Sequence, residues 1–280
     1  ASTMARGGWG WGARVLSALG AAGELASGAS GLDVWRRLGE WSEHMSEPPP
    51  GNVPVASAEA RARRAELLGG CAEDRPQQAD SASAVSAAFA PRDEHGKPNM
   101  VIAEAGTGVG KTIGYIAAAS LWAERNEGPV WISTYTRNLQ RQIDTELDRL
   151  YPDPVTKRRK VVIRKGRENY LCLLNFEDAV GRLGSRAEDA TALGLIARWA
   201  ARTRDGDLLG GDFPSWLVDL LGARNTVGLA ARRGECINSA CTHYQKCFVE
   251  RTVRRARRAD IVVANHALVM THAAVGGLDD

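Results

Sequence analysis

Long apolar runs are missing from this 280-residue sequence. No stretch approaches the roughly 20 residues that a membrane-spanning helix requires. The small apolar stretch from Val15 to Ala26 contains Glu24 and too much Gly and Ala for a secretory leader. The expectation is a cytoplasmic chain with no membrane partner. Extreme charge is missing too: the formal net charge of +3 does not by itself argue for a nucleic-acid partner. Cysteine is scarce, five residues in all, which excludes a disulfide-built scaffold and in a reducing compartment points to metal or redox chemistry.

What remains is ordinary globular material, long enough for one or two domains with a sizeable core. The first 70 residues carry no usable motif. Gly, Ala and Ser abound there, Pro48-Pro49-Pro50-Gly51 breaks the chain, and Trp9, Trp11, Trp35 and Trp41 account for four of the eight tryptophans. Short helices packing through Trp35 and Trp41 behind a flexible lead are expected. From about residue 97 strands and helices alternate. Met100–Ala103, Val130–Ser133, Val161–Ile163 and Ile261–Ala264 read as short buried strands, and Thr112–Ala123 reads as a helix. A second helix puts Leu139, Ile143, Leu147 and Leu150 on one face. Strands separated by helical lengths predict an α/β fold with a parallel sheet and crossover helices. Between Cys172 and Cys247 no strand signal appears. Leu193, Ile196, Ala197 and Ala200 mark a helix, so the segment reads as a mostly helical insertion.

The sharpest local pattern is Ala105-Gly106-Thr107-Gly108-Val109-Gly110-Lys111-Thr112, a Walker A sequence between a strand signal and a helix signal. Its glycines let the backbone curl until successive N–H groups face phosphate oxygens. The helix start adds partial positive charge aimed the same way. Lys111 supplies a point charge for the β- and γ-phosphates of ATP, and the Thr112 hydroxyl is placed to ligate Mg²⁺. The bland alternative is a chance Gly-rich turn, and the flanking elements argue against it.

Four cysteines form a second constellation. Cys172 stands far upstream of Cys236-x4-Cys241-x5-Cys247. Four thiolates can close a [4Fe–4S] cube, with one protein ligand for each iron. Zinc is the rival, although only the first gap lies in its usual range, and isolated buried thiols are the bland reading. Spacing alone leaves these open. Cys71 reads as an ordinary thiol, and His243 as a surface residue. Just downstream, Arg251, Arg254, Arg255 and Arg258 recur at helical spacing with Val249, Val253 and Ala256 on the other side. Such a row suits phosphates of any sequence; a solvated face is the alternative. Lys157-Arg158-Arg159-Lys160 sits in a Pro-containing connection and is less persuasive.

Further segments fall in a telling order. Ser133-Thr134-Tyr135-Thr136 with Leu139-Gln140-Arg141-Gln142 is similar to the second helicase motif. Lys165-Gly166-Arg167-Glu168-Asn169-Tyr170-Leu171-Cys172 resembles the approach to a first cluster cysteine, and Ala259–Leu268 the strand leaving a cluster domain. Together with the phosphate loop they resemble the DinG/XPD family of iron–sulfur DNA helicases over roughly residues 73 to 270, the bacterial DinG branch most of all. The resemblance implies a RecA-like first motor domain carrying a [4Fe–4S] cluster insertion, held by Cys172, Cys236, Cys241 and Cys247. It implies ATP-dependent 5′ to 3′ translocation on single-stranded DNA and work at duplex junctions. Thr134, Thr136 and Gln140 would touch the bound strand. Arg75-Pro76-Gln77-Gln78 is similar to the element whose glutamine reads adenine, which assigns that role to Gln78.

The implied domains are an extension at 1–70, the first part of the motor domain at 71–165, the cluster insertion at 166–258 and a return into the motor domain at 259–280. The sequence departs from the family pattern by omission. It has no Asp-Glu-x-His box, which is expected shortly beyond residue 280, and no second motor domain. Without them the chain is expected to bind nucleotide weakly and not to turn it over. A nucleic-acid-binding iron–sulfur or zinc module with a regulatory or vestigial phosphate loop is the alternative from another functional class. An unrelated P-loop ATPase or kinase is a third, against which the later motifs argue.

Overall fold

The computed structural model describes residues 8–12, 14–15, 32–42, 48–69, 76–91, 97–106, 110–232 and 234–276. After a 3-10 turn at Val34–Arg36 come α1 (Ser57–Leu68), α2 (Pro76–Ser86), α3 (Lys111–Asn126), β1 (Val130–Thr134), α4 (Arg137–Leu150), α5 (Pro154–Lys160) and β2 (Val161–Arg164). Then follow α6 (Leu173–Gly181), α7 (Ala190–Ala200) and α8 (Trp216–Leu221), several single 3-10 turns, α9 (Phe248–Arg257), β3 (Ile261–Asn265) and α10 (His266–Gly276). The chain divides into two compact units, Met45–Lys165 with Val253–Asp280, and Ala1–His44 with Gly166–Thr252.

The first unit is built on a parallel sheet of order β1-β3-β2. The last strand in sequence is therefore the central one in space. Its run of Ile261, Val262 and Val263 is fully buried, as a strand covered on both faces requires. The two-residue period splits that run: Ile261 and Val263 pack with Ile116, Ile143 and Leu147, while Val262 packs with Val162 and Ala256. Asp260 knits the sheet at its entry. Its N–H donates to the Lys160 carbonyl (2.8 Å) and its carbonyl accepts from the Val130 N–H (2.9 Å). Its carboxylate accepts from the Tyr151 hydroxyl (2.9 Å) and pairs with Lys160 (2.9 Å). Burial, reinforced by the Asp260 charge, pushes the Tyr151 phenol well above its ordinary range.

Three of the four expected strands form; Met100–Ala103 does not. That segment is irregular and pairs with no strand among the described residues, and Ile102 is 90% exposed. Apolar character alone does not make a strand, because the backbone N–H and C=O groups need a ladder partner or water. Residues 154–160, expected as a connection, are helical. The Asp153 carboxylate accepts from the Val155 and Thr156 N–H groups (3.3 and 2.8 Å) and Pro154 occupies the first helical position, a strong start signal. In α4 the expected apolar stripe is half used: Ile143 and Leu147 are buried, while Leu139 is exposed. Helices α1, α2 and α3 pack through small side chains, Ala60, Ala82 and Ala118, beside Leu121 and Val55. Residues 57–68, for which the sequence offered no motif, belong to this unit.

The second unit is turns and helices around Leu171, Phe176, Leu193, Ile196, Leu208 and Phe248. Leu193, Ile196, Ala197 and Ala200 are all buried on α7, as their spacing predicts. Extended pairing among its described residues is limited to the bridges Tyr170↔Asp207 and Leu171↔Ala230. Leu32, Val34 and Trp35 complete the core, with Trp35 edge-on to Phe176 at 5.9 Å between ring centroids.

Candidate nucleotide and cysteine sites

The phosphate-loop residues Ala105, Gly106, Gly110, Lys111 and Thr112 are described, whereas Thr107, Gly108 and Val109 lie outside the described residues. Gly110 caps α3 in the left-handed region (φ 85°), which glycine adopts without steric cost. The Lys111 ammonium folds back over the loop and donates to the carbonyls of Ala105 (2.7 Å) and Gly106 (3.0 Å). A cation beside the Ala105 and Gly106 carbonyls, at a helix start, is arranged to receive phosphate oxygens. Burial pushes the Tyr115 phenol up, and a hydrogen bond with the Thr112 hydroxyl opposes that shift.

Gln78 stands directly behind the loop, on α2. It is 3% exposed, and both ends of its amide are engaged. Its Nε2 donates to the Gly110 carbonyl (2.8 Å) and its Oε1 accepts from Arg64 Nε (3.0 Å). The contact is so close that a Cβ on Gly110 would lie 2.0 Å from Gln78 Nε2. Arg64, on α1, is therefore part of the loop's support. Nothing in the sequence around it signalled that role, because the partner is reached through the fold. Arg75, in the same element as Gln78, lies outside the described residues.

At the carboxyl ends of the strands, Thr136 caps α4 by accepting from the Leu139 N–H (3.2 Å), and the Thr134 hydroxyl donates to the Thr136 carbonyl (3.4 Å). Gln140 is buried, and its Nε2 has no hydrogen-bond partner among the described residues. Ser133 Oγ and His266 Nδ1 are 2.5 Å apart, and the Tyr135 ring beside His266 is 79% exposed. The arginines of α9 are not a uniform outward row. Arg251 donates to the Gly39 carbonyl (2.7 Å) and Arg255 to the Arg158 carbonyl (2.6 Å). Arg254 is half-buried, and Arg258 is exposed.

In the second unit Cys172, Cys236, Cys241 and Cys247 line one cavity, together with Tyr170, Leu171, Leu173, Tyr244 and Val249. All four are free thiols, half-buried. Two of them stand immediately before helices, Cys172 before α6 and Cys247 before α9. Burial pushes both thiols up. The Asn175 and Leu174 amides work against this at Cys172, and those of Glu250 and Val249 at Cys247. Neighbouring thiols add to the rise: Cys241 and Cys236 act on Cys172, and Cys172 on Cys247. Arg167 Nη1 donates to Cys236 Sγ (3.0 Å) and pairs with Glu250 (3.5 Å). Arg167 is a site residue that sequence reasoning placed in a motif but gave no role. Among the described residues, no group of three or more His, Cys, Asp and Glu side chains is arranged to hold a metal ion. Cys71 lies outside the described residues. His243, expected on the surface, is buried against Trp35 with its Nε2 2.6 Å from Glu177 Oε2, because the segment carrying Trp35 covers it.

No helix among the described residues is long and apolar enough to cross a membrane. No protein-family model matches the chain. Individual relatives do. The chain is 34% identical over 244 residues to the ATP-dependent helicase DinG of Mycobacterium tuberculosis, covering 80% of this chain and 34% of that protein. It is 33% identical over 191 residues to the 3′-5′ exonuclease DinG of Bacillus subtilis, covering 67% and 19%. It is 31% identical over 202 residues to the ATP-dependent DNA helicase YoaA of Escherichia coli, covering 70% and 29%. The chain thus spans between about a fifth and a third of the length of these curated relatives. With a third of its residues identical along two thirds to four fifths of its own length, this chain belongs to the DinG-like family.

Proposed function

We propose that this chain is the nucleotide-binding part of an ATP-dependent DNA helicase with a RecA-like motor domain and an iron–sulfur insertion. One observation carries the nucleotide reading: Lys111 opens α3 and folds back to bond the Ala105 and Gly106 carbonyls. A triphosphate entering the loop would replace those two acceptors with stronger, charged ones. Backbone N–H groups of residues 105–112 would take the remaining oxygens, Lys111 the charge shared between the β- and γ-phosphates, and the Thr112 hydroxyl a Mg²⁺ ligand position. Gln78 braces the loop through Gly110, and adenine reading is proposed for it from the family resemblance alone.

The cysteine reading is supported by convergence. Residues 64 positions apart, Cys172 and Cys236, arrive at one cavity with Cys241 and Cys247, as an all-sulfur donor set. That set fits a [4Fe–4S] cluster, in which every thiolate has its own iron and the sulfurs need not close on a single ion. When bound, such a cluster supplies a structural tie. This chain's residues bring the four thiols together, and Arg167 directs a guanidinium at Cys236. Single-stranded DNA and its junctions with duplex are the proposed partners. Thr134, Thr136 and Gln140 lie at or just beyond the carboxyl end of β1, with Arg251, Arg254, Arg255 and Arg258 on or next to α9 as phosphate contacts. Translocation from 5′ to 3′ is proposed from the family resemblance.

Titration with a fluorescent ATP analogue tests the first half. Lys111→Ala removes a charge-assisted contact worth about 1.5–3 kcal/mol. It should weaken nucleotide binding about ten- to a hundredfold while leaving single-strand affinity in place. Equal nucleotide affinity in the two proteins removes the loop from the mechanism. For the second half, anaerobically prepared protein should be brown with acid-labile sulfide, whereas colourless protein with stoichiometric zinc defeats the cluster.

A further inference from the structure

Residues 32–41 carry none of the motifs discussed above, yet they are bonded along the loop that holds three of the four cysteines. Leu32, Val34 and Trp35 anchor the segment in the core of the cysteine unit. Beyond Trp35 the chain follows the loop. The Trp41 backbone N–H donates to the Gln245 carbonyl (2.8 Å), and its indole Nε1 donates to the Tyr244 carbonyl (2.8 Å). The Trp41 and Tyr244 rings stand edge to face, 5.1 Å apart at 81°. Glu40 pairs with Lys246 (3.4 Å), and the Gly39 carbonyl accepts from Arg251 (2.7 Å).

These contacts fall on the stretch that joins two of the thiols. The Tyr244 N–H donates to the Cys241 carbonyl (2.9 Å), and the Tyr244 carbonyl accepts from the Cys247 N–H (3.1 Å). The indole of Trp41 is therefore bonded to the same carbonyl that fixes the Cys247 amide. Between Cys241 and Cys247 this stretch has a single 3-10 turn of its own, Tyr244–Lys246. Such turns have strained hydrogen-bond geometry and open at little cost unless something else holds them. Apart from the His243–Glu177 contact, the side-chain and backbone bonds that hold this one come from about 200 residues earlier in the chain.

We propose that residues 32–41 are a clamp that positions Cys241 and Cys247 and sets how fast the metal group is lost. The second clause rests on the cluster reading; the first does not. Trp41 is only half-buried, so replacing it leaves the core intact, unlike Trp35. The experiment uses the full chain and two readouts, iron release to a chelator after anaerobic loading and amide exchange of residues 241–247 without metal. Trp41→Ala should speed both about tenfold, having lost one hydrogen bond and one aromatic pair. Trp41→Phe keeps the ring contact and should fall between, at about threefold. Glu40→Lys should speed both about twofold, and the exchanged pair Glu40→Lys with Lys246→Glu should restore them. Unchanged amide exchange in Trp41→Ala overturns the clamp. Faster exchange with unchanged iron release overturns its role toward the metal group. Absence of iron and sulfide from the unmodified chain sinks the cluster reading and leaves exchange as the clamp's own test.

Discussion

Replacing Gly110 by alanine tests the link between Gln78 and the phosphate loop. A side chain at φ 85° costs about 1–2 kcal/mol by itself. The new Cβ would also lie 2.0 Å from Gln78 Nε2 and 3.2 Å from its Cδ, so the amide has to leave. Its departure breaks the bonds to the Gly110 carbonyl and from Arg64, at about 1 kcal/mol each. Gly110→Ala should therefore cost about 3–4 kcal/mol. In a Gln78→Ala background the clashing atoms and both bonds are already gone, and the same change should cost only about 1–2 kcal/mol. A coupling of about 2 kcal/mol is the quantity at stake. Urea titration followed by amide exchange in α3 reads the unit concerned and avoids averaging over two units. Equal costs of Gly110→Ala in the two backgrounds would refute the brace. The same variants separate two roles for Gln78. A Gln78→Ala loss that falls equally on ATP and GTP marks a support for the loop; a loss confined to adenine nucleotides marks base reading.

Two further outcomes follow from side-chain geometry elsewhere. Gly206→Ala places a Cβ 2.3 Å from Phe248 Cγ at φ 70°, against a ring that is fully buried, and should destabilise the cysteine unit by about 3 kcal/mol. Gly166→Ala meets only the movable end of Glu168 and should cost less than about 1 kcal/mol, so comparable melting losses would contradict the packing argument. Tyr151 supplies a pH test. Its phenol is raised in the folded state from an ordinary value of 10.0, so its stabilising contribution is complete below about pH 10 and lost progressively above. Urea midpoints of the unmodified protein should fall more steeply between about pH 10 and 11.5 than those of Tyr151→Phe; parallel curves would sink the assignment.

Some of this protein was legible in the order of its residues. A phosphate loop is a local object: its glycines, lysine and threonine lie within eight consecutive positions, and the helix they open starts where the pattern places it. The apolar runs at 130–133, 161–163 and 261–264, the last and central one buried at every position from Ile261 to Ala264, are strands. The same kind of run at 100–103 is not, since a strand exists only where another chain segment offers its hydrogen bonds. That the last strand enters between the first two was likewise not legible, because pairing order is a matter of which faces the helices leave open.

Long-range placement decided the rest. Four cysteine positions were visible, but their meeting at one cavity depends on helices, turns and an N-terminal segment that carried no motif. The same packing buried His243 beside Trp35 and brought Arg64 and Gln78 to the back of the loop. Residue identity determined which chemistry is possible here. Burial and partner geometry, set by contacts between residues tens to hundreds of positions apart, decided which side chains are free to perform it.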